Sequence, residues 1–317
     1  MKTNIFKGTL IIIMMLTLLL SGCSGKSPNG TYESGLKVYT SFYPVYYLAE
    51  QIGRDRIDLN VIIPNGSEPH DYEPSMKEMA DVESGSIFIF NGAGMEPWAE
   101  KLAHNLNGKG IKTLNLSQYV KLIEVFEEEH DDHEDEDHNH DHGLYDPHIW
   151  LDPINMERMA YEIMIEFSKL DNKNEDFYKR NYEELSLKLK ELDLKYQMEL
   201  SNKNRDTILV SHQAFGYMTK RYGLKQVSVT GITPHEEPSP KTIARLLDII
   251  KDEGYEFIFL ESLASPKVVE LLAQEGNLKI LELNPIGGLT KEQQDSKEDY
   301  ITLMEQNLEN LKKALVK

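Results

Sequence analysis

Residues 175–200 read EDFYKRNYEELSLKLKELDLKYQMEL. Tyr178, Tyr182, Leu185, Leu189, Leu192 and Tyr196 recur at steps of four and three, with Lys and Glu filling the gaps. That period lays one apolar stripe along an α-helix and leaves the other faces charged. No Gly or Pro interrupts Glu175 to Leu200, so nothing in the stretch supplies a hinge. A helix of this kind rigidly holds the two segments it joins.

On either side stand two blocks of similar grammar. In the first, strand-like runs occur at Leu36 to Tyr43, Ile57 to Ile63, Ser86 to Phe90 and Lys112 to Leu116, with helical segments such as Val45 to Ile52 and Ser75 to Glu83 between them. In the second, they occur at Thr207 to Val210, Gln226 to Val229, Phe257 to Leu260 and Lys279 to Leu283, separated by Ala214 to Tyr222, Lys241 to Asp252 and Pro266 to Glu275. Short apolar strands alternating with helices predict parallel sheets covered on both faces. Ser239-Pro240 is a helix start, Ser as cap and Pro at the first helical position. Met304, Leu308, Leu311 and Leu315 predict a packed terminal helix. The expected fold is α/β, with two lobes, each a mostly parallel β-sheet flanked by helices, joined by one long rigid interlobe helix. The expected bounds are 36–174 for the first lobe, 175–204 for the helix and 205–317 for the second lobe.

The N-terminus is a secretory layout: Lys2 and Lys7, an apolar run from Leu10 to Leu20, then Leu20-Ser21-Gly22-Cys23. The run is short for a bilayer span. Cys23 is the only cysteine, so no disulfide forms within the chain. Residues 1–22 are expected to be a signal peptide and 23–35, with little apolar content, a tether. The formal charge is −19, which disfavours a polyanionic nucleic acid as partner and suits a cation. Residues 127–142, EEEHDDHEDEDHNHDH, hold ten acidic residues and five histidines, too polar to bury a core. Clustered His130, His133, His138, His140 and His142 fit an auxiliary metal-capture loop.

With the lone cysteine at the N-terminus, a transition-metal site must use His with Asp or Glu. His70 follows the second expected strand, His148 sits between prolines in DPHIWLDP, and His212 ends the strand ILVS. In open α/β sheets ligands bind beyond the carboxyl ends of strands, where His70 and His212 fall. Spacing alone does not bring them together. His104 is expected at a helix end and His235 in a loop. Trp98 and Trp150 are expected in the core or a cleft wall. Asp146, Asp152 and Glu73 are candidate acceptors for the second ring nitrogens, by proximity.

The motifs GSEPHDYEP (66–74), DPHIWLDP (146–153), LVSHQAFGYMTKRYGL (209–224), EPSP (237–240) and FLESLASP (259–266), in that order, resemble those of the metal-binding lipoproteins of ABC importers, in the zinc branch (periplasmic solute-binding protein family 9). The likeness runs from Leu36 to the end. It implies Zn2+ as cargo, with His70, His148 and His212 as ligands. It also implies lipidation at Cys23, anchoring on the extracytoplasmic face of the cell membrane, an ABC permease as partner, and a monomer. Manganese members tend to carry Glu at the His212 position, so Mn2+ is the less favoured ion. The family often places a carboxylate in the loop after the last strand. Here Asn284 and Gly287 stand there, so the fourth ligand stays open among water, Glu68, Glu261 and Asn284. Some relatives act as surface adhesins, which is the alternative role. No His-Glu-x-x-His or Gly-x-Ser-x-Gly motif is present, and no enzymatic activity is expected.

Overall fold

The computed structural model describes residues 35–125, 145–234 and 238–316. The expected signal peptide, Cys23, the 127–142 stretch and His235 lie outside them. Among the described residues there are two four-stranded parallel sheets. The first holds β1 (Leu36–Thr40), β2 (Ile57–Val61), β3 (Ile87–Phe90) and β4 (Lys112–Asn115) in the order β2-β1-β3-β4. The second holds β5 (Thr207–Val210), β6 (Lys225–Ser228), β7 (Phe257–Leu260) and β8 (Lys279–Glu282) in the matching order β6-β5-β7-β8. In each sheet the chain reverses direction between the first and third strands, and that switch point opens a crevice at the strands' carboxyl ends.

The first strand is shorter than its apolar run suggests. It stops at Thr40, and α1 (Tyr43–Gly53) takes over because Pro44 sits in the first helical turn, where its missing N–H costs nothing. The α2 (Met76–Val82) start is a capping box, with Ser75 and Glu78 each accepting from the other's backbone N–H. Then come α3 (Ala99–Gly108) and α4 (Pro153–Leu170), the latter capped by Asp152, whose Oδ1 accepts from the Ile154 N–H at 2.8 Å.

The long helix, α5, spans Glu175–Glu199. Tyr178, Leu185, Leu189, Leu192 and Tyr196 are buried, each side chain contributing roughly 2 kcal/mol of apolar burial. Tyr182 of the same stripe stays half-buried so that its hydroxyl can donate to Glu157 at 2.6 Å. The second half continues through α6 (Gly216–Tyr222), α7 (Pro240–Glu253), α8 (Lys267–Gly276), α9 (Lys291–Asp295) and α10 (Tyr300–Leu315). Ser239 caps α7 by accepting from the Thr242 N–H, and Gly254 ends it in the left-handed conformation. The last helix ties the halves together: Met304 carbonyl accepts from the Tyr196 hydroxyl at 2.6 Å, and the Tyr300 hydroxyl donates to the Trp150 carbonyl at 2.6 Å. No helix among the described residues is long and apolar enough to cross a membrane.

Candidate metal centre

Three segments deliver one imidazole each. His70 lies on the loop between β2 and α2, where Gly66 adopts φ +86 and Asn65 Oδ1 accepts from the Leu289 N–H of the second half at 3.3 Å. His148 follows Pro147, whose carbonyl accepts from Asn91 Nδ2 at 2.9 Å at the switch point of the first sheet. His212 is the second residue past β5, at the switch point of the second sheet.

Their Nε2 atoms meet. His70 and His148 Nε2 are 3.2 Å apart, and His212 and His148 Nε2 are 3.3 Å apart. Ligand atoms of all three rings lie within 4.8 Å of one another. Zinc–nitrogen bonds of 2.0–2.1 Å in a tetrahedron place neighbouring nitrogens about 3.3 Å apart, so these separations suit one zinc-sized ion.

The outer ring nitrogens fix the chemistry. Asp146 Oδ1 accepts from both Nδ1 (2.8 Å) and the backbone N–H (2.9 Å) of His148. Glu261 Oε1 does the same for His212, at 2.6 and 3.1 Å, and also accepts from the Ser211 hydroxyl. With the proton on Nδ1, each Nε2 carries a lone pair. Two such lone pairs facing across 3.3 Å repel unless a cation lies between them. His148 is 1% and His212 2% exposed. Burial first, and the neighbouring His212 second, hold His148 well below the ordinary imidazole range, so its ring is neutral at physiological pH. Burial raises Asp146 to about 7, and a dication among the rings favours its charged form.

A cavity of about 20 Å³ lies against the three rings, walled by Met95, Trp150, Leu263, Pro285 and Gly287. A larger depression of about 410 Å³ beside Gln197, Lys203 and Arg221 carries cationic side chains and none of these histidines.

Of the expected acceptors, Asp146 serves His148. Asp152 does not serve a ring: it caps α4 and lies 3.3 Å from Arg221 Nε. Glu73 is exposed on the His70 loop. The acceptor for His212 is Glu261, which sequence proximity missed because it arrives from the end of a different strand. Among the fourth-ligand candidates, Glu261 Oε1 is engaged as described, Asn284 Oδ1 accepts from the Ile286 N–H at 2.7 Å, and Glu68 Oε1 accepts from the His70 N–H at 3.4 Å. No carboxylate oxygen among the described residues joins the three-imidazole cluster. Trp150 is a wall residue, its ring 5.3 Å from His148 and its Nε1 donating to Pro285 carbonyl at 2.6 Å. Trp98 packs on Phe88, away from the site. His104 is exposed within α3 rather than at its end, because the helix runs on to Gly108.

Known proteins share this architecture. The family described as "Zinc-uptake complex component A periplasmic" matches residues 38–314. The "High-affinity zinc uptake system protein ZnuA" of Bacillus subtilis (strain 168) is 36% identical over 310 residues, which cover 97% of each chain. The "Zinc-binding lipoprotein AdcA" of Streptococcus pneumoniae (strain ATCC BAA-255 / R6) is 33% identical over 97% of this chain, which spans 61% of that protein's length. The crystal structure of its Zn(II)-bound ZnuA-like domain superposes with a TM-score of 0.77 at 31% identity, covering 90% of this chain and all of that one. The laminin-binding protein Lmb of Streptococcus agalactiae, described as bifunctional with adhesin and metal-transporting activity, gives a TM-score of 0.75 at 28% identity, covering 88% of this chain and 99% of that one.

Proposed function

This chain belongs to the periplasmic zinc-uptake component A family, and from that membership we propose that it is the extracytoplasmic zinc-binding component of an ABC transporter. It captures Zn2+ on His70, His148 and His212 between the two sheets and delivers it to a membrane permease, without chemical turnover. The observation that carries this reading is the pair of Nε2 separations, 3.2 and 3.3 Å, between rings whose outer nitrogens on His148 and His212 are held by carboxylates. A lobe at 36–174, a connecting helix at 175–204 and a lobe at 205–317 are the functional units. Removal of residues 1–22 and lipidation of Cys23 would tether a monomer to the outer face of the cell membrane through residues 23–35. His130, His133, His138, His140 and His142 would gather metal near the buried site.

The test is equilibrium zinc binding by purified protein lacking residues 127–142. One tightly held ion per chain is expected, lost when His70, His148 and His212 are all replaced by Ala. Tight binding that survives the triple replacement would sink the reading. Acidification should weaken binding, because protons compete for the imidazoles. A flat profile between neutral and mildly acidic pH counts against three imidazole ligands. The likeness to Lmb makes adhesion the second reading. Laminin binding that persists after metal chelation supports it.

A further inference from the structure

Helix α6 opens four residues past His212 and meets the segment that carries His148. Its start is fixed on the second sheet, where the Phe215 N–H donates to Gln226 Oε1 of β6 at 3.0 Å. From there it grips the His148 segment at both ends. Tyr217 is 4% exposed, and its hydroxyl donates to the Asp146 carbonyl at 2.9 Å, two residues before His148. Arg221 Nε lies 3.3 Å from Asp152 Oδ1, four residues after His148. Tyr217 and Arg221 are four apart in sequence, so both side chains leave one face of the helix.

Each grip is anchored beyond the segment it holds. The Tyr217 hydroxyl also accepts from the Ile123 N–H at 3.1 Å, and the Ile123 carbonyl accepts from the Asp146 N–H at 2.8 Å, which closes a three-way tie. Arg221 forks onto Asp193 of α5, Nε to Oδ1 at 2.5 Å and Nη2 to Oδ2 at 2.8 Å. The Tyr222 hydroxyl donates to the same Oδ1 at 3.1 Å. A planar two-pronged pairing of this kind fixes direction as well as distance. One guanidinium thus links α6, the long helix and the end of the His148 segment. None of these bonds uses a ligand nitrogen, so they form with or without an ion. The His70 loop takes no part in them.

Resting on the zinc-binding reading above, we propose that α6 is a clamp that sets the spacing of His148 from His212, with Tyr217 and Arg221 as its positioning residues. The helix begins just past one ring and holds both ends of the segment bearing the other. It therefore presents the ion with two imidazoles already at coordinating distance, Nε2 to Nε2 at 3.3 Å. His70, outside the clamp, completes the set from its loop. Preorganisation strengthens binding because less order has to be imposed when the ion arrives.

The test uses the full chain and two readouts, amide hydrogen exchange without metal and zinc affinity by competition with a chelating dye. Tyr217→Phe should speed exchange in residues 145–152 and leave β1 and β2 unchanged. It should weaken zinc about tenfold, the low end for a group that orients a ligand indirectly. Arg221→Gln should also weaken zinc, and Arg221→Lys, which keeps the charge and loses the fork, should recover part of the loss. Tyr217→Phe removes one oxygen and keeps the packing, so it decides the matter should Arg221→Gln fail to fold. The factor lost with Tyr217→Phe should persist in a His70→Ala background and vanish in a His148→Ala background, because the clamp acts through His148. An equal loss in both backgrounds would mean general support of the fold and overturns the proposal. So would unchanged zinc affinity, or unchanged exchange at 145–152. A wild-type chain that binds no zinc would instead overturn the zinc-binding reading, and exchange in the metal-free chain would still test the clamp.

Discussion

The two switch points are built alike and filled differently. Past β1, the Thr40 and Ser41 carbonyls accept from the Ile62 and Ile63 N–H groups at 2.9 and 2.8 Å. Past β5, the Val210 and Ser211 carbonyls accept from the Val229 and Thr230 N–H groups, both at 3.0 Å. Thr40 pairs with Ile89, as Val210 pairs with Phe259. Ser41 therefore matches Ser211, Phe42 matches His212, and Asn91 matches Glu261. In the first crevice Phe42 is fully buried, edge-on to Trp150 with centroids 4.9 Å apart, and Asn91 holds the Pro147 carbonyl. In the second, His212 meets the other imidazoles and Glu261 holds its outer nitrogen. One fold offers two equivalent crevices. Two side chains decide that one braces the His148 segment while the other adds an imidazole to the cluster.

The comparison breaks most visibly at His212. His212→Phe gives the second crevice the ring of the first. A zinc site worth about 10–16 kcal/mol over four ligands assigns roughly 3 kcal/mol to each, so zinc affinity should fall at least about a hundredfold, as read by competition with a chelating dye. Undiminished affinity would show that the ring at this position does not separate the crevices. The next effect concerns the carboxylate that braces the first crevice. Glu96 is 2% exposed and accepts from the Asn91 and Gly92 N–H groups at 2.9 and 3.1 Å. Burial pushes it up to about 7 against the pull of those bonds. A raised acid binds more protons folded than unfolded between its ordinary 4.5 and about 7, so its contribution is most favourable at low pH and is lost as pH rises through that window. The stability of the wild type relative to Glu96→Gln should therefore drop between about pH 4.5 and about 8, by up to about 3 kcal/mol. Denaturant unfolding at both pH values measures it; a constant difference would mean that Glu96 titrates normally.

Much of this was legible from residue order. The stripe from Tyr178 to Tyr196 specified the long helix, because a period of 3.6 needs no tertiary knowledge. The strands were legible as apolar runs, although Pro44 ends β1 sooner than the run implies. Asp146 was legible as the partner of His148, since it lies only two residues away. Glu261 was not legible as the partner of His212. It lies 49 residues away, and only the pairing of β5 with β7 puts the two strand ends side by side. Asp152 misled for the opposite reason: near His148 in sequence, it is committed to the start of α4. The signal that was there to find is positional. In two sheets of one grammar, a Glu immediately past β7 and a His just past β5 both stand at a switch point.

Both crevices also need a glycine where a polar side chain comes close, and this yields the smallest effect. At Gly92, with φ +78, an added Cβ would collide with Asn115 Oδ1. At Gly216, where φ is ordinary, it would collide with Asp146 Oδ2. Gly216 begins α6, so helix propensity alone predicts that Gly216→Ala stabilises the protein by up to about 1 kcal/mol. The contact predicts the opposite. Asp146 is 2% exposed, and its Oδ1 is tied to His148 at two points. Its backbone carbonyl is tied to the Tyr217 hydroxyl at 2.9 Å, so it has little room to retreat. Displacing it should loosen the His148 ring, destabilise the apo-protein by about 1–2 kcal/mol and weaken zinc about tenfold or more, the usual cost of disturbing a ligand's outer partner. Thermal unfolding and zinc competition on the same variant decide between the two signs. A more stable Gly216→Ala protein with unchanged affinity would mean that Asp146 does not set the position of His148.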